Sequence, residues 1–382
     1  MKFLYIVFIF ILTYSLQACS NRDYSSSSNY MTFDEVVFIC TSDFPKSYTL
    51  TEGTAIGLDV IDVIGIRGIH IHNDSLLFLS TIHRDSLWVV VQLPSYDILG
   101  SFLTIGQGPY EFLHTPWVSS NTRIFEVDDE IFANIYDFGR ARMMQVNISK
   151  TLKADRLYMS VLESSFPRGI FSIIDLGHNK FFYRQVNNDA TAQLRFIRYN
   201  DSISTPPVLE SLNRAKIDPR EDINILSVMT KMNPHNNRFI EMPVSLNYFN
   251  IYDLDGSFAK TICIGNRLDN IGRIQSQRFR DRRQTFKDIR VFEDFFGIVL
   301  IDETTKTMQT VRRSLPSILL FDWEGNPLAK LQLPRFITSF DIDFRNGSLY
   351  TFDYHTDEFY RYNIRGVLKE ICREYIYLDL QF

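Results

Sequence analysis

Two arginines stand at equivalent places in the chain and are candidates for binding an anion. The segments Arg67-Gly68-Ile69 and Arg168-Gly169-Ile170 align with each other, and each leads into a predicted apolar strand. A guanidinium group binds a carboxylate or a phosphate through two parallel hydrogen bonds. Exposed arginines also pair with neighbouring acids for structural reasons alone. Arg67 and Arg168 are therefore candidate ligand-binding residues, with structural ion pairs as the alternative.

Other side chains could in principle bind a metal or transfer protons. His70 and His72 are two apart on a predicted strand and so point to one face. Two imidazoles can begin a metal site, but a third ligand is needed and none is identifiable. Asp128-Asp129 falls in a predicted turn, and Asp341 and Asp343 alternate on a strand, which favours solvated positions. The sequence predicts neither a metal nor a cofactor.

Composition and motifs exclude several classes of protein. The chain contains no G-x-S-x-G turn, no H-E-x-x-H pair and no phosphate-binding loop, which favours a protein that is not an enzyme. Its net charge is −5, with 40 basic and 45 acidic residues and no basic patch of the kind that binds nucleic acid. Aromatic residues make up 14%, and such side chains suit pleated, half-buried strands. We therefore expect strands to position the candidate residues.

A degenerate repeat organises those strands. An aromatic residue followed by Asp or Asn, usually with Gly nearby, recurs at Tyr96-Asp97, Tyr136-Asp137, Tyr199-Asn200, Tyr252-Asp253, Phe321-Asp322 and Tyr362-Asn363. The mean spacing is about 53 residues, close to known propeller-blade lengths. A second polar turn precedes each of these, at Asn73-Asp74, Asp128-Asp129, His178-Asn179, Asn236-Asn237, Glu293-Asp294 and Asn346-Gly347. Two hairpin turns per repeat imply four strands per repeat.

The repeat predicts an all-β fold, a six-bladed β-propeller with four-stranded antiparallel blades. Only Arg273 to Lys287 has the composition of a helix or an ordered loop. A propeller must also close its ring, because an open sheet edge invites aggregation. We expect Glu35 to Ile39 to close it by pairing with the C-terminal segment Glu374 to Leu380.

The N-terminus carries an export signal. Lys2 precedes an apolar run from Phe3 to Leu12, which has the length of a signal-peptide core. The run ends at Leu16-Gln17-Ala18-Cys19, which resembles the bacterial lipobox. This resemblance implies that Cys19 is acylated after cleavage at Ala18, and Ser20 implies sorting to the outer membrane. An ordinary cleaved signal peptide is the alternative.

Three cysteines remain once Cys19 is assigned to the anchor. Cys40 and Cys372 lie near opposite ends of the chain, so a ring that pairs its termini would bring them close. A disulfide between them is one expectation, and free thiols are the other. Cys263 lies in an apolar strand and is expected in the core.

One motif is more specific than the repeat. Ile105-Gly106-Gln107-Gly108-Pro109-Tyr110-Glu111-Phe112, together with the lipobox and the period, resembles the TolB-like six-bladed β-propeller lipoproteins of Bacteroidetes. That resemblance implies the fold and export, and it supplies no catalytic residues. The motif is expected to connect two blades, and it can place Glu111 or His114 near the rim of the central channel.

Three regions and a function follow from these patterns. Residues 1–18 are the predicted signal peptide, 19–32 the lipidated N-terminus with a flexible linker, and 33–382 the propeller. We expect an outer-membrane lipoprotein, held in the membrane through Cys19, whose propeller is a binding or scaffold module for a peptide, glycan or protein partner. The alternative is a propeller enzyme, a lyase or hydrolase of carbohydrates or lactones, with or without a metal in the channel.

Overall fold

The computed structural model describes residues 27–57, 59–163, 165–310 and 315–372. Six sheets, each of four or five strands, form the blades of a propeller, which confirms the predicted fold class. The chain begins with three short strands, β1 (Val36–Ile39), β2 (Ser47–Thr49) and β3 (Thr54–Ala55). None of the helices in these ranges is long and apolar enough to cross a bilayer.

The first three blades follow in chain order. Blade 1 consists of β4 (Ile66–His72), β5 (Leu76–Thr81), β6 (Trp88–Gln92) and β7 (Ile98–Phe102). Blade 2 consists of β8 (Thr122–Val127), β9 (Glu130–Asp137), β10 (Arg142–Asn147) and β11 (Met159–Glu163), with helix α1 (Ile148–Ala154) before its last strand. Blade 3 consists of β12 (Ile170–Gly177), β13 (Lys180–Val186), β14 (Gln193–Tyr199) and β15 (Ser202–Ser204).

The other three blades are separated by larger insertions. Blade 4 follows α2 (Pro207–Asn213) and a 3₁₀ turn (Ile223–Leu226), and contains β16 (Val228–Met232), β17 (Phe239–Pro243), β18 (Tyr248–Tyr252) and β19 (Ala259–Ile264). Blade 5 follows α3 (Ile271–Gln275) and a 3₁₀ turn (Phe279–Asp281), and contains β20 (Arg283–Val291), β21 (Phe295–Thr304), α4 (Thr305–Thr310), β22 (Ser317–Asp322) and β23 (Pro327–Gln332). Blade 6 contains β24 (Ser339–Asp343), β25 (Ser348–Asp353) and β26 (Glu358–Asn363), followed by α5 (Arg365–Ile371).

Predicted turns join the first and second strands of the blades. Asn73-Asp74, Asp128-Asp129 and His178-Asn179 have positive φ at both residues. Two such residues make the tight turn whose twist matches that of antiparallel strands, and Asn and Asp tolerate this conformation better than other side chains. The same composition that predicted these turns therefore also explains their geometry.

The aromatic–Asp pair stands at a different place in blade 2 than in the other blades. Tyr136-Asp137 ends β9, the second strand, whereas Tyr252-Asp253 and its counterparts in blades 3, 5 and 6 end the third strand. In blade 2 the third and fourth strands are joined through α1 instead of a hairpin. The Asn147 side chain accepts a hydrogen bond from the backbone N–H of Lys150, so it caps α1 directly after β10.

The segment from residue 33 to residue 56, which we call the N-terminal strap, adds a strand to three blades. β1 pairs in parallel with β19 and β2 in parallel with β23, so blades 4 and 5 have five strands. β3 pairs antiparallel with β26 and completes blade 6, which closes the ring. The prediction that Glu35 to Ile39 closes the ring was wrong, because β1 lies on blade 4. Its predicted partner, Glu374 to Leu380, lies outside the described residues.

Part of the expected linker belongs to the fold. Met31 and Thr32 are buried, and the backbone N–H of Met31 donates to the Tyr248 hydroxyl at 3.1 Å. The Asn250 amide in turn donates to the Met31 carbonyl at 2.9 Å. The packed domain thus begins a few residues before the expected boundary at residue 33. Residues 1–26, with Cys19, lie outside the described part.

Apolar clusters between neighbouring blades hold the ring together. Between blades 4 and 5, Phe249 lies 5.7 Å from Phe296 and 5.2 Å from Phe321, ring centre to ring centre, in edge-to-face contacts. Phe44 of the strap contacts Phe321 from outside at 5.2 Å. Such aromatic pairs contribute about 0.5–1.5 kcal/mol each beyond the area they bury. The strap therefore stabilises a contact between blades as well as covering their edges.

The three cysteines of the described residues are free thiols. Cys263 is fully buried in blade 4, as predicted. Cys40 is exposed, whereas Cys372 is buried in the cluster of blades 5 and 6. The structure therefore contains no Cys40–Cys372 disulfide.

Candidate binding site in the central channel

The first strand of every blade is innermost, so β4, β8, β12, β16, β20 and β24 surround the channel. A cavity of about 320 Å³ is lined by residues of five of these strands and by part of the connection between blades 1 and 2. Its ionisable lining residues are His70, Arg123, Asp175, Lys231 and Arg290. Because they come from separate blades, the cavity exists only when the ring is closed.

Asp341 joins blade 6 to blade 1 beside this cavity. Its carboxylate accepts the backbone N–H of Ile71 at 2.9 Å and lies 3.3 Å from Nδ1 of His70. Burial alone would raise the pKa of Asp341, but the hydrogen bond from His70 and the charge of Arg290 lower it. Asp341 is therefore an ionised residue whose acceptor capacity is used within the protein.

Two further aspartates connect neighbouring blades in the same way. Asp288 of blade 5 accepts from the Ser339 hydroxyl at 2.9 Å and from Nε of Arg290 at 3.1 Å. Asp175 of blade 3 accepts from the Asn134 amide of blade 2 at 2.6 Å. Buried carboxylates need such donors because an unpaired buried charge is costly. These acids hold blades together and leave little capacity for a ligand.

The cation Lys231 is satisfied much less fully. Within the described part of the chain, its ammonium group donates only to the Ser119 carbonyl, although it has three donors. Desolvation by the surrounding protein, together with the charge of Arg290, lowers the pKa of Lys231 to about 8. The adjacent Thr230 also lines the cavity, but its hydroxyl is buried and has no hydrogen-bond partner among the described residues.

Arg123 is a second cation with unused donors. Its Nη1 lies 3.7 Å from Asp175, a long ion pair to a carboxylate that Asn134 already binds. The guanidinium group lies over the Phe125 ring, 5.1 Å from its centre, and the side chain is 38% exposed. Lys231 and Arg123 thus present more donors to the cavity than the protein uses.

The motif from Ile105 to Phe112 shapes the connection that leads into the channel. The Glu111 carboxylate accepts the backbone N–H of Gly108 at 2.6 Å, and a Cβ at Gly106 would lie 2.0 Å from that carboxylate. Arg140 of blade 2 donates to the Glu111 carbonyl at 2.6 Å and to the Gly108 carbonyl at 3.2 Å. Glycine at 106 therefore leaves the space that the Glu111 side chain occupies.

Beyond the motif the chain enters the channel. The Trp88 indole N–H donates to the Pro116 carbonyl at 2.8 Å, and the Val118 N–H donates to the Ser80 hydroxyl at 2.8 Å. These bonds fasten the connection to blade 1 and place the Ser119 carbonyl against Lys231 of blade 4. The part of this connection that reaches the channel is therefore the stretch after His114.

The predicted site residues lie elsewhere. Arg67 donates to the Tyr354 carbonyl at 3.0 Å and lies 3.7 Å from Asp357, so it links blades 1 and 6. Arg168 and His114 are exposed, and neither lines the cavity, nor do Arg67 and Glu111. Ligand contact by these four residues remains a prediction.

The paired aspartates predicted to be solvated differ in their actual burial. Asp128-Asp129 is an exposed turn, as predicted. The expectation that Asp341 and Asp343 are solvated was wrong, since both are buried, and Asp343 accepts hydrogen bonds from Asn346. Throughout the described ranges, no group of three or more His, Cys, Asp or Glu residues could hold a metal ion.

Sequence reasoning missed Lys231, Thr230 and Arg123. The available signal was a cation within an otherwise apolar first strand, as in Val228-Met229-Thr230-Lys231-Met232. Only the blade order shows which strand of each repeat is innermost, and the phase error in blade 2 obscured that order. The sequence predicts Arg67 and Arg168 as the cations that face an anion in the channel, but neither residue lines the cavity.

Fold and cavity together define a six-bladed propeller with a polar central channel. The model of the TolB-like 6-blade propeller-like family matches residues 68–345. The chain belongs to that family. A comparison with curated proteins finds no match.

Three of the similar solved structures come from Bacteroides. A member of the DUF4221 family from Bacteroides vulgatus is 10% identical with a TM-score of 0.50, covering 83% of this chain and 94% of its own. A putative exported protein from Bacteroides fragilis is 11% identical with a TM-score of 0.48, covering 85% and 99%. An auxiliary nutrient binding protein from Bacteroides ovatus is 10% identical with a TM-score of 0.44, covering 78% and 69%. At these identities the likeness concerns the fold alone.

Proposed function

We propose that the protein is a binding module of the cell envelope whose central channel takes up the anionic part of a ligand. The observation that carries this proposal is the surplus of hydrogen-bond donors in the cavity. The acids beside the cavity are bonded to the protein itself, whereas Lys231, Thr230 and Arg123 retain unused donors. A carboxylate or phosphate supplies acceptors and negative charge, and so would pair with Lys231 and Arg123, the two cations that line the cavity.

The test uses probe pairs that differ only in charge. We would measure binding by calorimetry for glucuronate against glucose, and for a short peptide with a free against an amidated C-terminus. An acidic member should bind, its neutral counterpart should not, and Lys231→Met should weaken binding about ten- to a hundredfold, the effect of a charge-assisted hydrogen bond. The control is Lys153→Met, an exposed lysine outside the cavity.

Three results would reject the proposal. They are equal binding of acidic and neutral members, unchanged affinity in Lys231→Met, and no binding of any acidic member at millimolar concentration. A preference for the acidic sugar over the acidic peptide, or the reverse, separates a glycan ligand from a peptide ligand.

Anion binding should also depend on pH through Lys231. Because burial lowers the pKa of Lys231 to about 8, the ammonium form is present below that pH and is lost above it. We expect affinity for the acidic probe to fall as the pH rises from 7 to 9. In Lys231→Met this fall should be absent, which calorimetry at the two pH values would show.

Attachment to the outer membrane through Cys19 is the second part of the proposal, and its support is the N-terminal sequence. The apolar run, the small Ala18 before the cysteine and Ser20 after it are the supporting features. Several acyl chains on one residue would give stable anchoring, since each buried methylene contributes about 0.8 kcal/mol. Nothing in the described part of the chain favours the enzyme alternative over binding.

A further inference from the structure

Two insertions meet where the N-terminal segment enters the fold. One comprises residues 205–227, before blade 4, and the other residues 265–282, before blade 5. The Asp218 N–H donates to the Gln275 side chain at 3.0 Å, which joins the two insertions. The Ser28 carbonyl accepts from Lys216 at 3.0 Å and the Asn29 carbonyl from Ile271 at 2.9 Å. The chain that leads back to Cys19 therefore leaves the domain at these insertions.

The second of these insertions is strongly basic, whereas residues 205–227 contain three basic and four acidic residues. Residues 267–283 contain six arginines and two aspartates, a formal charge of +4 in a chain whose net charge is −5. Five exposed cations of the two insertions, which we call the basic surface, are Lys216, Arg267, Arg273, Arg278 and Arg280. In the described part of the chain none of the five forms an ion pair, whereas the nearby Arg220, Arg282 and Arg283 are paired with carboxylates.

An exposed aromatic side chain stands within this surface. Phe279 lies between Arg278 and Arg280, and 56% of it is exposed. An apolar ring beside cationic groups fits the boundary between lipid headgroups and acyl chains, where the ring enters the apolar side and the charges stay with the headgroups.

We propose that the basic surface docks on anionic headgroups of the bilayer that carries the anchor. The geometry of this proposal rests on the proposed acylation of Cys19, because Ser28 is nine positions after Cys19 in the chain. Such a tether spans at most about 30 Å when fully extended. The basic surface is thus held close to the headgroups, and electrostatic attraction acts over a Debye length of about 8 Å at physiological salt. An acidic soluble polymer is the competing partner.

The experiment removes the anchor so that only the surface is tested. The chain from Ser20 onward keeps every residue of the described fold and lacks Cys19. It would be sedimented with two kinds of vesicle. One consists of phosphatidylcholine alone, and in the other roughly 30 mole per cent of the lipid is the anionic phosphatidylglycerol. Binding should require phosphatidylglycerol and weaken with added salt.

Charge reversal locates the effect on the surface. The triple variant Arg273→Glu, Arg278→Glu and Arg280→Glu should bind anionic vesicles at least about tenfold more weakly. The control variant reverses Lys153, Arg156 and Lys180, three exposed cations on blades 2 and 3, with the same change in net charge. Circular dichroism of both variants verifies that each remains folded.

The outcomes are decisive in both directions. Loss of binding in the triple variant alone supports the proposal. Equal loss in both variants, absence of binding to anionic vesicles, or binding to polygalacturonate without binding to vesicles overturns it. Mass spectrometry of the mature N-terminus tests acylation separately, so a failed anchor and a failed docking surface give different results.

Discussion

Lys231 and Asp341 face the same channel, but the protein satisfies them to different degrees. Asp341 of blade 6 accepts the N–H of Ile71 and lies 3.3 Å from His70, both in blade 1, whereas the ammonium group of Lys231 bonds to one backbone carbonyl in the described structure. A partly buried cation that keeps free donors is unfavourable in the absence of a partner. Position and bonding, more than residue type, therefore distinguish the structural charges of the channel from those available to a ligand.

His72 should make the fold sensitive to acid. Burial, together with neighbouring His70, lowers the pKa of His72 to about 4, below the value of about 6.5 in an unfolded chain. Between these values the unfolded chain binds a proton that the folded chain does not, so stability is lost as the pH falls from about 6.5 toward 4. From pH 7 to pH 5 we expect a loss of about 1–2 kcal/mol in the free energy of unfolding.

Urea unfolding of His72→Leu at both pH values checks this prediction. The variant should lack that part of the pH dependence, because a leucine binds no proton and the His72 Nε2 has no hydrogen-bond partner to lose among the described residues. His114→Leu, at an exposed position, should behave like the parent protein. The same acid sensitivity in His72→Leu would assign the effect to other groups.

Gly106 is expected to be intolerant of a side chain. In Gly106→Ala the new Cβ would lie 2.0 Å from the Glu111 carboxylate and displace it from its bond to Gly108, which should cost about 1–2 kcal/mol. Thermal unfolding measures this, with Gly366→Ala as the control, because a Cβ there meets nothing within 4 Å. In a protein that already carries Glu111→Ala, Gly106→Ala should lower the free energy of unfolding much less than it does in the parent protein. If the losses of the two single variants simply add in the double variant, the clash is refuted.

At the scale of elements, the N-terminal strap is the feature that the sequence did not reveal. The hairpin turns are local, and their Asn, Asp and Gly residues predicted most blades. The strap pairs Val36 with Thr261 and Tyr48 with Leu331 in short parallel ladders, and such distant pairings leave no local pattern in either partner. Tyr136-Asp137 was misassigned for a related reason, since an aromatic–Asp pair can end either the second or the third strand.

Phe44 tests how far the strap stabilises the blades it covers. The side chain is buried against Phe321 between blades 4 and 5. Phe44→Ala should lower the free energy of unfolding by about 3 kcal/mol or more, because it leaves a cavity in a packed aromatic cluster. The variant should also increase the rate of amide hydrogen exchange in Val36 to Thr49 more than it does in β4.

The control for this variant is Ile203→Ala on the exposed outer strand of blade 3. It removes an apolar side chain that is already in water, so it should change stability by less than about 0.5 kcal/mol. An equally small effect of Phe44→Ala would show that the strap covers the ring without contributing to its stability.

At the scale of the whole molecule, the four antiparallel strands that form the body of each blade determine where the connections lie. A four-stranded antiparallel blade begins and ends at the same end of the ring, so every connection between blades lies at that end. The insertions with the basic surface and the exit of the N-terminal segment share this end, whereas the short turns between first and second strands lie opposite. In the proposed envelope location, the connection-bearing end would face the bilayer.

Acylation of Cys19 can be checked in cells. Labelling with an alkyne fatty acid should mark the protein, and Cys19→Ala should lose the label and leave the detergent phase, because no other acyl attachment is proposed. Cys40→Ala is the matched control, since Cys40 is an exposed free thiol in the folded domain. If the label is kept in Cys19→Ala and lost in Cys40→Ala, the acyl group is on Cys40, and the proposed anchor is wrong.

The strap also sets the order in which the protein can mature. Ala55 pairs with Tyr360, so β3 cannot complete blade 6 until nearly all of the chain has been made, and β1 must wait for Thr261, the partner of Val36. Contacts so distant along the chain make folding slow and leave intermediates prone to aggregation. In the proposed envelope location, unpaired strand edges would be exposed to the periplasm until the ring closes, and we expect the need for chaperones to be greatest in that interval.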